Sequence, residues 1–301
     1  MRPLAFYGGT IVGILLLSLL FHISFGRANT APVIDSIIVS ASSQGAQIGN
    51  INLIEGTTKS LYIYGQITED DGCSQIQNGS LNFSFYRSMV TGGADCTVDP
   101  LNCYKASLTG GCELSGCTIG SETQVDYECN IAVQHFAQPT DAGLFAGQDW
   151  IASVTVTDDA LASDTITSST DIHTLRGLSI SGEVDYGQLS IGSTTLSDAE
   201  LTIRNTGNAG LDLMLAATDM NCESGVIESP NQKYSSASGQ IYDEMLAFST
   251  SSAYYDFSLQ AQTDGTQSTS SLYMKLSIPT STSSLLGVCT STLQIVASED
   301  I

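Results

Sequence analysis

Two kinds of residue in this sequence are spaced so that they could do chemistry together: cysteines and clustered carboxylates. Six of the eight cysteines fall in one stretch, Cys73, Cys96, Cys103, Cys112, Cys117 and Cys129, while Cys222 and Cys289 stand apart. Thiolates gathered in this way either hold a metal or pair with one another. No C-x2-C occurs and no histidine sits at zinc-finger spacing, so neither a zinc nor an iron–sulfur site is expected. An even set in an exported chain implies disulfides. If pairs stay within each half of the chain, Cys222 pairs with Cys289, and the other six leave many connectivities open. The carboxylates form two knots, Glu69–Asp70–Asp71 and Asp158–Asp159, with Asp164 nearby. Calcium takes oxygens from carboxylates and carbonyls. Knots at the same end of the fold could share an ion; otherwise they are turn residues facing water. No other cofactor is expected.

Nothing else reads as catalytic. Apart from His22 near the N-terminus, the histidines are His135 and His173, both read as surface or strand-end residues. There is no G-x-S-x-G elbow, no H-E-x-x-H and no phosphate loop. The chain is therefore expected not to be an enzyme. Tyr234, Tyr242, Tyr254 and Tyr255 are read as strand residues, with a carbohydrate-binding platform as the alternative.

The elements that must position these groups are strands. The chain has 301 residues, of which 42% are hydrophobic and only 13% charged, which gives it enough apolar mass for two cores. Period-two alternation recurs. Val125, Tyr127, Cys129, Ile131 and Val133 share one face, as do Trp150, Ala152, Val154 and Val156. Leu211, Leu213 and Leu215 alternate with Asp212 and Met214; Leu272, Met274, Leu276 and Ile278 alternate with Tyr273, Lys275 and Ser277. Such runs predict half-buried antiparallel strands with one dry and one wet face. Asn205-Thr206-Gly207-Asn208 is read as a reversal whose residues tolerate positive φ.

The organisation follows. Arg2, the apolar run 11–25 and Gly26-Arg27-Ala28 read as a signal peptide cleaved after Ala28 or, alternatively, as an N-terminal membrane anchor spanning 1–28. Either way the rest is expected outside the cytoplasm, secreted or at the cell surface. A first domain is expected over 29–175, with an inserted loop at 89–122 that disulfides must staple. A second is expected over 176–301. Nine basic residues against 31 acidic ones give a net charge of −22, a surface that repels nucleic acid and anionic lipid. Contact with a membrane is expected only through the N-terminal segment.

NTAPVIDSIIV (29–39), YGQITEDDGC (64–73) and WIASVTVTDDA (150–160) resemble the cadherin/PKD-type immunoglobulin-like modules of prokaryotic cell-surface proteins. VDYGQLSIGSTTLSDAELTIRNTGNAGLDLML (184–215) resembles another such surface module. Tyr127-Glu128-Cys129 also resembles a tyrosine corner, in which a tyrosine precedes an inter-sheet cysteine by two residues. The resemblance implies an all-β chain of two tandem immunoglobulin-like β-sandwiches after an N-terminal signal or anchor helix. It implies a non-enzymatic structural or adhesive surface protein that meets an extracellular protein or glycan partner through loops, the loop at 89–122 above all. The alternatives are a subunit of a surface filament or layer, in which VIDSIIVSA (33–41) could serve as a donor strand, and a secreted carbohydrate-binding module or hydrolase accessory.

Overall fold

The structure, a computed structural model, describes residues 28–263, 265–280 and 285–300. In the first half the chain forms β1 (Val33–Ile34), β2 (Ile38–Ser40), β3 (Asn50–Ile51), β4 (Lys59–Thr68), the short helix α1 (Ser74–Asn78) and β5 (Ser80–Arg87). There follow β6 (Cys103–Ser107), β7 (Cys112–Ser115), β8 (Gln124–Val133), β9 (Trp150–Thr157) and β10 (Ser163–Ile172). The alternation dictates the pairing. β4 and β8 lie antiparallel over their whole lengths, from Lys59 opposite Val133 to Thr68 opposite Gln124. Their apolar residues, Leu61, Ile63, Ile67, Val125, Tyr127 and Val133 among them, turn to one side and are buried.

One sheet runs β1-β4-β8-β7, with β2 also on β4; a second runs β3-β10-β9-β5-β6. Both contribute to a single core, in which Trp150 stacks on Phe85 with ring centroids 4.8 Å apart and Tyr104 tilts against it at 6.0 Å. The Trp150 indole N–H donates to the carbonyl of Gln138, so the buried ring leaves no polar atom unpaired.

The second half forms β11 (Leu178–Gly182), β12 (Ala199–Asn205), β13 (Leu211–Ala217), β14 (Met220–Ser224), β15 (Val226–Ile227) and β16 (Gln232–Ser235). It ends with β17 (Leu246–Ala247), β18 (Ala253–Leu259), β19 (Thr269–Leu276), β20 (Leu286–Thr290) and β21 (Leu293–Glu299). A five-stranded sheet, β11-β12-β19-β16-β17, faces a three-stranded one, β18-β13-β21, across a core of Ile203, Leu213, Leu272, Met274 and their neighbours. A further three-stranded sheet, β15-β14-β20, carries a small cluster of its own around Met220, Ile227 and Leu276.

This architecture corrects the expected fold in two respects. The expected anchor, residues 1–27 with Ala28, lies outside the described residues except for Ala28 itself. Among the described residues the longest helix is the five-residue α1, and none is long and apolar enough to cross a membrane. Nor is the chain two tandem immunoglobulin-like sandwiches. Among the described residues it is an all-β chain of five open sheets, three of them in the second half because β14 and β20 pair with each other instead of joining either of the other two. The segment 89–122, expected as an inserted loop, carries two short strands between its turns: β6 extends β5, and β7 extends β8. The stretch 33–41, considered as a free donor, is paired at home, with Val33 opposite Thr68 and Ile38 opposite Tyr64.

Candidate functional site

The eight cysteines form four disulfides, Cys73–Cys117, Cys96–Cys103, Cys112–Cys129 and Cys222–Cys289. Cys112 and Cys129 sit directly opposite each other on β7 and β8, and Cys222 and Cys289 on β14 and β20. The tyrosine-corner resemblance therefore does not extend to an inter-sheet bridge, because the Cys112–Cys129 bond joins neighbours within one sheet. The Tyr127 hydroxyl donates instead to the Ser36 carbonyl, 2.8 Å away, and ties the turn between β1 and β2 to β8. The first three bridges all hold segment 89–122 or its flanks, which fixes in place a stretch too poor in apolar residues to pack alone.

The two acidic knots do meet at one end of the first half. Glu69, at the end of β4, and Asp158, just past β9, are both buried, at 0% and 1% exposure. Asp158 is satisfied locally: it accepts from the amides of Ala160 and Ala162 and from the Asn29 side chain. Glu69 is not. Its Oε1 accepts from the Asp71 amide at 3.1 Å, while its buried Oε2 has no partner. Burial pushes the Glu69 carboxyl above its ordinary value; the Asp71 amide pulls it down, and the charges of Asp158, Asp71 and Asp70 push it up. Asp70 and Asp159 point into solvent, and Asp71 accepts from the Thr30 amide. Among the described residues, the one trio of metal-ligand types converging on a point is Cys73, Cys117 and Glu122, whose two sulfurs are already bonded to each other. The structure thus joins Glu69 to Asp158 but does not gather three carboxylates around one point.

A dense set of buried polar contacts lies where the halves meet, on Asn205-Thr206-Gly207-Asn208. Asn205, fully buried, donates to the carbonyls of Ala209, Leu259 and Gln260 and accepts from the Gly207 amide, closing its own turn. The next residues reach the other half. Thr206 donates to Glu55 Oε1 at 2.6 Å, and its carbonyl accepts from the Gly56 amide. Asn208 accepts from the Leu175 amide and donates to the carbonyls of Ala137 and His173. None of the four has a positive φ, so the turn chemistry expected from the sequence is not what selects them. Gly207 is required by proximity: a β-carbon there would overlap the Leu175 carbonyl.

His135, read as a surface residue, is buried at this junction, edge-on to Phe136, and neither ring nitrogen has a hydrogen-bond partner. Burial, with the Arg204 charge adding to it, lowers its pKa, so the folded state holds the neutral ring. The unfolded chain protonates near pH ~6.5. Stability from this site is therefore complete above that pH and is lost as pH falls from there through the lower folded value. Denaturant unfolding at neutral and mildly acidic pH is expected to show this loss, and His135→Leu is expected to remove it. A variant with the same pH profile as the parent would contradict this assignment. His173 stays half-exposed beside Asn52.

The four tyrosines do not form a platform. Tyr234 is a core residue between Phe248 and Tyr255, Tyr242 donates to the Asn231 carbonyl under Lys233, and Tyr254 bonds Asp212.

No family model and no curated protein matches the sequence. Solved structures with some similarity include the CsuC–CsuE chaperone–tip adhesion subunit complex of Csu pili from Acinetobacter baumannii. That match has 12% identity and a TM-score of 0.32, and covers 87% of this chain and 99% of that one. The C-terminal domain of the Streptococcus pyogenes antigen I/II-family protein AspA matches at 10% identity and a TM-score of 0.28, covering 90% and 96%. A secreted serine protease, VesC from Vibrio cholerae, matches at 7% and 0.19, covering 82% and 49%. Scores this low define no shared fold, and the class of the chain rests on its own geometry: an all-β, disulfide-bonded protein of open sheets.

Proposed function

We propose that this chain is a non-enzymatic structural subunit of an extracellular surface assembly, a filament or layer. The observation that carries this reading is the junction. Asn208 and Thr206 tie two cores, divided near residue 176 into two modules, through buried side-chain hydrogen bonds to backbone and carboxylate. A unit of this kind transmits force and holds a fixed shape, which a repeating assembly needs. Four disulfides suit an oxidising compartment outside the cytoplasm. The rival reading, adhesion to a protein or glycan through the loop at 89–122, is weakened because three disulfides and the short strands β6 and β7 hold that segment; its exposed tips, Met89 and Ile119, are what remains to support it. Size-exclusion chromatography and electron microscopy of a chain beginning at Asn29 test the proposal. Ordered polymers at rising concentration support it. A strict monomer that attaches to surfaces, and loses attachment when the Met89 and Ile119 tips are replaced, returns the adhesin.

A second reading concerns the acidic end, where the unpartnered Glu69 Oε2 favours it: Glu69 and Asp158, with nearby carbonyls, take a calcium ion. Because the folded pKa of Glu69 is raised, its contribution is present below the unfolded carboxylate value and lost as pH rises through the folded one. At neutral pH, millimolar calcium is expected to raise the melting temperature of the parent and leave Glu69→Gln unmoved. No heat by calorimetry and no melting shift would remove the ion.

A further inference from the structure

The second core is left open along one side. β11 is the last strand of the five-stranded sheet and β21 the last of the three-stranded one. Ile180 lies opposite Ile203, so it faces inward, yet it is 42% exposed while Ile203 is fully buried. On the opposing layer Leu293, Ile295 and Ala297 face Ala217, Leu215 and Leu213 across the ladder and point into the same core, but they are only half-buried. β13, one strand further in, buries Leu211, Leu213 and Leu215 almost completely. Val184 and Tyr186, just past β11, pack against the same core, yet this inward-facing apolar row stays half-wet on both layers. Among the described residues β13 is the only strand partner of β21, which leaves its other backbone edge unpaired by them.

At the Leu293 end this open side runs into a cleft of about 780 Å³ lined by Tyr186, Leu189, Met274 and Leu276. Its charged lining residues are Asp185 and Glu223, and it holds no lysine or arginine. Asp300 and Glu299 lie at the other end of β21, the latter paired with Arg176.

We propose that this side of the second half is a strand-addition site. It takes an extended segment of a partner protein whose alternate residues are apolar and whose flanks are basic. The segment's backbone would complete the β21 ladder, and its alternate side chains would cover Ile180 and Ile295. Charge selects the occupant. The flanks of the groove are acidic, as is the chain as a whole at −22, so a second copy meets repulsion where a lysine-flanked segment meets attraction. The inference rests on the proposed assembly role and gives that assembly a contact for a basic partner protein, apart from any contact between copies.

The probe is a synthetic peptide of alternating valine and threonine with paired lysines at both ends. One control replaces the lysines with glutamates, and another places proline at the centre. Binding is read by fluorescence anisotropy and located by amide hydrogen exchange. The lysine peptide is expected to bind and to slow exchange across Leu293–Glu299. The glutamate and proline peptides are expected to bind about tenfold more weakly or worse. Ile180→Lys, at a position already half in water, is expected to keep the parent melting temperature and lose about tenfold in peptide affinity. Ile180→Ser, which adds no charge, is expected to lose less. No binding, or binding that leaves β21 exchange unchanged, overturns the site. Ordered polymers of a parent chain that binds no peptide would sink the site and spare the assembly role; peptide binding by a chain that never assembles would keep the site and sink that role.

Discussion

Asn208→Ala is expected to lower the unfolding free energy by about 3 kcal/mol and to uncouple the two halves. The side chain is nearly buried and serves three backbone groups of the first half: the Leu175 amide and the carbonyls of Ala137 and His173. Alanine leaves all three without a partner, and an unmet buried donor or acceptor costs about 1–3 kcal/mol. The total is held near the lower end because water can reach part of the cleft of about 490 Å³ beside Asn208. Gly207→Ala acts on the same joint by a different route, since its new methyl group would occupy the space of the Leu175 carbonyl and force the segments apart. The diagnostic observation is the shape of the denaturation curve. In the parent, both halves are expected to melt together; in either variant, two transitions are expected, because the coupling free energy between the cores has been removed. A single transition shifted by less than about 1 kcal/mol would show that the joint is dispensable.

The strands that carry the cores are legible in the sequence because burial alone sets their pattern. β8 and β9 bury the residues that alternation assigns to the dry face. The same rule misplaces Asp212 and Lys275. Alternation sends both to the wet face, yet Asp212 is fully buried and Lys275 nearly so, its ammonium held by the Gln240 carbonyl and Asp198. Periodicity reports which way a side chain leaves its strand; it does not report whether another segment crosses over that face. The Asn-Thr-Gly-Asn run is conspicuous as a motif, but its reason is long-range. Its partners, Glu55, Ala137 and His173, lie 35 to 151 positions away, and no local pattern encodes them. Glu69 and Asp158 illustrate the same limit: both knots are visible, but only the fold reveals that one member of each is buried and that one oxygen lacks a partner. The disulfide chemistry is readable from cysteine count and spacing, whereas the pairing of the first six cysteines required β7 to be recognised as a strand beside β8.

Asp212→Ala is expected to be the most damaging single substitution in the second half, at about 4 kcal/mol. β18 does not follow β13 smoothly: the register shifts between Leu211 and Leu213, and Ser258 sits at a φ of 47°, a conformation that non-glycine residues rarely adopt. Such a bulge frees backbone amides that the ladder would otherwise use. Asp212 recovers two of them, with Oδ1 accepting from the amides of Phe257 and Ser258 at 2.8 Å each, while Oδ2 accepts from the Tyr254 hydroxyl. Removing the carboxylate strands two amides beside Phe257, itself part of the core, and leaves nothing to hold the bulge. Asp212→Asn separates charge from shape. It keeps one oxygen for the amides but gives the phenol no carboxylate to face. The hydrogen bond to Asp212 is the main reason the Tyr254 phenol is pushed up to about 12. An ultraviolet titration of Asp212→Asn is therefore expected to show that phenol ionising closer to the ordinary tyrosine value, with the fold still intact below it. If Asp212→Asn unfolds as readily as Asp212→Ala, the charge holds the bulge; if it melts near the parent while the phenol shifts, two short contacts to the backbone suffice, and the tyrosine is only a reporter of the carboxylate beneath it.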